Sequence, residues 1–77
     1  MSKAEREYQY YELCAAAHAM HAAFCRIEAM ADAICPYNDD EGRAYNEAFH
    51  LNLAFDYDRV AAEMRAENAA FLLERAA

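Results

Sequence analysis

Seventy-seven residues allow one domain, and a core of that size usually supplies only ~3–5 kcal/mol without staples or association. The chain carries 14 acids and 7 bases, a net charge of −7, which disfavours direct nucleic-acid binding. The 58% hydrophobic fraction is inflated by 20 alanines, and one Gly and one Pro leave little room for turns. Alanine is the best helix former, so the composition points to an all-α chain.

The first residues, Met1 to Glu7, are charged and have no apolar segment behind them, so no targeting signal is expected. No run of about 18 apolar residues is present to span a membrane. The three cysteines, Cys14, Cys25 and Cys35, are odd in number. Cys14 and Cys25 lie roughly 16 Å apart along a helix, too far to bridge within it. A reducing cytoplasm is the expected compartment.

Ser2 and Glu5 form a capping-box pattern, which starts the first helix at about Lys3. No breaker follows until Pro36, so the helix is expected over about 3–35. Its dominant feature is an apolar series at Tyr10, Leu13, Ala17, Met20, Phe24, Ile27, Ala31 and Ile34. That unbroken 3-4 spacing makes one continuous seam, which predicts cover by another helix.

Residues 36–42, from Pro36 through Tyr37, Asn38, Asp39, Asp40 and Glu41 to Gly42, are the only turn signal. Asn38 or Asp39 can cap the next helix, and the acids suit its positive end. The second helical stretch spans about 43–76. Tyr45, Phe49, Leu53, Tyr57, Val60, Met64 and Phe71 make one face, while Leu51 and Phe55 point elsewhere. Residues 49–57 also alternate like a strand, but a lone strand has no partner here. Two helical readings stay open: a continuous helix apolar on two sides, or a break near 56–58 capped by Asp56 or Asp58. Asn68, between Met64 and Phe71, reads either as an exposed polar residue or as a register-setting Asn in a seam. The expected fold is therefore a long helical hairpin or three-helix unit within one domain, 1–77, assembling into a dimeric helical bundle. The seam of that assembly is Tyr10, Leu13, Met20, Phe24, Ile27, Ile34, Phe49 and Leu53.

Three features could carry function. Cys14, His18, His21 and Cys25 lie along one side of the first helix at spacings of 4, 3 and 4. Thiolate and imidazole are zinc ligands, but one straight helix offers a single ion only a pair of them. His50 or a second copy would have to complete a site. Packing beside the seam is the simpler account, so no metal or other cofactor is expected. His18 stands four residues from Cys14 with no third group or oxyanion hole, so catalysis is not expected either.

The second feature is charge placement. Residues 27–58 hold Glu28, Asp32, Asp39, Asp40, Glu41, Glu47, Asp56 and Asp58 against Arg43 alone, which is the whole net charge. In a hairpin this excess falls at the turn end. Acids on a stiff rod can compete with phosphates for a basic groove, with salt-dependent affinity, although solubilising acids and helix-start acids look the same. The third feature is six tyrosines: Tyr8, Tyr10, Tyr11, Tyr37, Tyr45 and Tyr57. Tyr37, in the acidic turn, is the best placed for a contact.

These features point to a non-catalytic protein-binding protein. Its expected contact residues are Glu28, Asp32, Tyr37, Asp39, Asp40, Glu41 and Glu47, facing a protein with a basic surface. In type the chain resembles the small acidic proteins that phages and mobile elements encode against host defence, anti-CRISPR proteins in particular. The likeness rests on a short, net-acidic, helical, cytoplasmic chain without enzyme motifs. It spans the whole chain, carries no diagnostic motif and transfers no residue role. It implies an inhibitor that occupies a nucleic-acid groove or subunit contact of a CRISPR effector. The alternatives are a structural or regulatory dimerisation module and a metal-binding helical bundle.

Overall fold

The computed structural model describes residues 1–76 of the chain, with side chains as far as Glu74. Two long helices, α1 (Lys3–Ala33) and α2 (Asp40–Ala76), run antiparallel as a hairpin. The described body measures 57 × 20 × 11 Å, a flat rod two helices wide and one helix thick.

The helix ends follow from local chemistry. Ser2 Oγ accepts from the Glu5 N–H, and the Glu5 carboxylate reaches back to the Ser2 N–H, a full capping box. α1 ends at Ala33 with Ile34 as its cap, two residues before Pro36. Asp39 caps α2 by accepting from the Gly42 N–H at 2.7 Å, which leaves Asp40 and Glu41 in the first turn at the positive end of the dipole. α2 then runs without a break through Asp56-Tyr57-Asp58 and through the alternating segment 49–57. No side chain there gives the backbone a better partner than its own helical ladder.

The contact between the helices is built from small side chains. Ala15, Ala22, Cys25 and Ala29 of α1 and Ala54 and Ala61 of α2 are the buried apolar residues, with Leu53 and Tyr57 packed at the edge. No large side chain is fully buried among the described residues. Alanines recur every seven residues on both helices, at 15, 22 and 29 and at 54 and 61. A methyl-lined stripe lets two backbones approach towards the short end of the usual ~8–10 Å separation.

The large-residue seam is therefore not what holds the hairpin together. Tyr10, Leu13, Met20, Phe24, Ile27 and Ile34 are 62–80% exposed, and Phe49 is 52% exposed; of the expected seam only Leu53 packs against the core. Phe24 stands two residues from buried Ala22, ~200° around the helix, so the seam faces away from α2. Both stripes have heptad spacing, and close approach of the backbones selects the smaller one.

Polar ties fix the register along the rod. At the open end Asn68 is 5% exposed, and its Nδ2 donates to Tyr8 O (3.3 Å) and Glu12 Oε1 (2.9 Å). It is the buried register residue, not an exposed one. Midway, Arg26 pairs with Asp58 at 2.6 Å; both are half exposed, so the pair contributes ~0–1 kcal/mol. At the closed end Arg43 donates to the carbonyls of Cys35 and Asn38 and pairs with Asp40, tying the connection to the start of α2. Because Ala22 has no exposed surface, Ala22→Leu should overpack the stripe and cost ~1–3 kcal/mol, read as a lower midpoint in urea unfolding with helix content retained before the transition.

Candidate functional site

Two surfaces stand out once the helices are placed. The first is the outer face of α1. Tyr10, Leu13, Met20, Phe24, Ile27, Met30 and Ile34 are all 62% exposed or more. Between Tyr8 and Ile27 the only charged residues are Glu12 and Arg26, and both engage α2, through Asn68 and Asp58. More than four turns of helix thus show solvent an apolar face without a charge. A helix that faces water normally carries its charges there, and contiguous apolar patches of this kind mark interaction sites.

The second surface is the acidic turn end, where the structure divides the seven expected contact residues. Tyr37 is 93% exposed, and the Asp40 carboxylate is fully exposed although paired with Arg43. Asp39 is spent as the cap of α2, while Glu41 is exposed beside it. Glu47 lies two turns further along, lining a shallow groove with Arg26, Met30 and Leu51. Glu28 and Asp32 face inward to His50. Asp56 pairs with Arg59, as Asp58 does with Arg26. Most of the acidic excess is therefore engaged within the hairpin.

His50, read from the sequence only as a group to complete a metal site, is instead held by two carboxylates of α1. Its Nε2 lies 3.1 Å from Glu28 Oε2, and its Nδ1 bonds Asp32 Oδ2. Glu28 and Asp32 are four residues apart, so one face of α1 presents both carboxylates to one ring. A carboxylate beside each nitrogen favours the imidazolium, the form that donates from both. The hydrogen bond to Asp32 holds the His50 pKa above its ordinary 6.5; burial opposes this, and the charges of Glu28 and Asp32 add to it. The spacing of Glu28 and Asp32 was visible in the sequence, but His50, 18 residues beyond Asp32, joins them only through the hairpin.

The Cys/His stripe does not converge. His18 Nδ1 lies 2.8 Å from the Cys14 carbonyl, one turn back. The His18 and His21 rings pack on Tyr57, at centroid distances of 5.8 and 5.1 Å, and Cys25 is buried in the alanine core. His50 is held elsewhere. Among the described residues no three His, Cys, Asp or Glu side chains are grouped to hold a metal ion. At the open end an apolar cleft of about 420 Å³ is lined by Glu7, Tyr11, Met64, Glu67, Asn68 and Phe71. No helix among the described residues is long and apolar enough to cross a membrane.

The raised His50 pKa fixes the sign of a pH effect. The stabilisation is complete below the unfolded value near 6.5 and is lost as pH rises through the higher folded value. The melting temperature should therefore fall from about pH 6 to about pH 9 by more in the natural protein than in His50→Gln, which keeps hydrogen bonding but cannot charge. Parallel melting curves for the two proteins across this range would show that the charge on His50 contributes nothing.

Comparison with protein-family models, curated proteins and solved structures finds no match to this chain.

Proposed function

We propose that this chain is a non-catalytic protein-binding hairpin that associates through the outer face of α1. One observation carries the reading: the large apolar side chains of α1 face out while the interior is lined with alanine. A helix spends its bulkiest residues where they bury the most area, so this face is built for contact with another protein. The alanine stripe is the frame that presents it. Anchors of this kind at the centre of an interface carry most of its energy, and Phe24 and Ile27 occupy the middle of the face.

A second reading is favoured by the turn end, where Tyr37 is 93% exposed and the acids at 39–41 are exposed beside it. There the protein acts as an inhibitor that meets a basic groove or subunit contact of a defence complex such as a CRISPR effector. The engagement of Asp32, Asp39 and Asp40 within the hairpin leaves this end better suited to steering encounter than to holding a partner.

The two readings separate by substitution. Phe24→Glu with Ile27→Glu should weaken every protein complex of this chain by tenfold or more (at least about 1.4 kcal/mol), read by crosslinking in the producing cell and by affinity for any partner so captured. Unchanged crosslinks would overturn the α1 reading. The triple change Asp39→Asn, Asp40→Asn and Glu41→Gln keeps a good cap at position 39. It should lower the association rate and flatten its salt dependence while leaving dissociation unchanged. A matching rise in the dissociation rate would instead favour the turn end as the holding surface.

A further inference from the structure

The reading of α1's outer face as a binding face leaves its occupant open, and the pattern of the face itself names one. We infer that it is covered by the same face of a second copy, antiparallel, about a two-fold axis level with Ala22.

Four observations support this. The seam positions 10, 13, 17, 20, 24, 27, 31 and 34 read the same in both directions about residue 22, so the face matches itself end for end. In that register Met20 meets Phe24 of the other copy, Ala17 meets Ile27, Leu13 meets Ala31 and Tyr10 meets Ile34. Each layer has at least one large side chain, and each small one faces a large one, as even packing requires. Parallel pairing would instead set Ala17 on Ala17 and Ala31 on Ala31, leaving two empty layers, and would jam Phe24 on Phe24 and Tyr10 on Tyr10.

Charge agrees. Residues 27–58 carry the whole net charge of −7. Parallel pairing would put both acidic ends side by side. Antiparallel pairing sets them at opposite ends of a rod 57 Å long, far beyond the ~8 Å over which such charges act in physiological salt. The positions flanking the seam, 9, 14, 16, 21, 23, 28, 30 and 35, carry a single charge, Glu28, already bound to His50.

Area agrees too. Seven side chains from Tyr10 to Ile34 are 62–80% exposed. With roughly 150–250 Å² for each of the aromatic Tyr10 and Phe24 and less for the five aliphatic side chains, they offer several hundred Å² per chain, approaching the ~800 Å² that each partner gives a stable interface of standard size. α2 lies on the opposite side of α1, so nothing in the hairpin blocks the approach.

The test uses the full chain. Light scattering in reducing buffer at two concentrations should give twice the chain mass, and Phe24→Glu should halve it. With Cys14 and Cys25 replaced by alanine, a spin label on Cys35 reports orientation. Thirteen residues from the axis on each copy predict a label separation of about 40 Å, against on the order of 10 Å for parallel helices. Because Phe24→Glu can disturb folding, exposed Ala17 gives a second check. Ile27→Ala should empty its layer with Ala17 and weaken association tenfold or more, and adding Ala17→Ile should restore it. A dimer with the long distance and this rescue supports the inference. A short distance, a dimer insensitive to Phe24→Glu, or no rescue overturns it. A monomer whose crosslinks in the producing cell still depend on Phe24 also overturns it but leaves the binding-face reading standing. A monomer whose crosslinks ignore Phe24 overturns both.

Discussion

Close approach of two helix backbones along a stripe of methyl groups is the constraint on which the rest of this structure depends. Ala15, Ala22, Ala29, Ala54 and Ala61, with Cys25 among them, line the contact, and no large side chain is fully buried among the described residues. Each methyl buried supplies only ~0.8 kcal/mol. The gain lies in long, continuous contact between the backbones. Its cost is that every bulky apolar side chain is displaced to the flanks or to the outside. The exposed seam on α1 is thus a direct consequence of how the hairpin closes.

A smooth alanine stripe specifies register weakly, because one methyl fits where another does. Besides the Arg26–Asp58 pair, three polar ties supply what it lacks. Asn68 is nearly inaccessible and bonded to Tyr8 O and Glu12 at one end. His50 is clamped by Glu28 and Asp32 towards the other, and Arg43 gathers the carbonyls of the connection. A slip of one turn would leave Asn68 buried without its partners and His50 without its carboxylates. Unmet polar groups of this kind cost more than their bonds contribute when made. The clamp also makes the hairpin's stability depend on the charge of one imidazole.

Folding uses several of the acids that the sequence offered as contact residues. Of the acids at 27–58, Glu28, Asp32 and Asp58 hold the helices together, and Asp39, Asp40 and Asp56 are engaged within α2 or its cap, which leaves the turn end with Tyr37, Glu41 and the outward side of Asp40. The uncharged outer face of α1 has no such internal role. A surface that does nothing for its own fold, yet concentrates phenylalanine, isoleucine, leucine and methionine, is best understood through what covers it.

The sequence by itself determined the all-helical class and the signals that bound the helices, but not whether α2 is continuous through 56–58. Ser2 and Glu5, Pro36 and Asp39 act on neighbours within four residues, so their effects are legible locally. It also showed a bulky seam on the first helix, apolar residues on two sides of the second, and Asn68 as a possible register residue. It did not determine which face turns inward. The 3-4 spacing of Tyr10 to Ile34 and that of Ala15 to Ala29 are equally periodic, and bulk drew attention to the first; alanine every seven residues on both helices was the signal for the second. Nor could it bring His50 to Glu28 and Asp32, or show the acids as already partnered. Only the tertiary structure decided these points, because closest approach depends on the combined size of side chains from two helices at once, and a pairing across the hairpin exists only after the chain has folded back on itself.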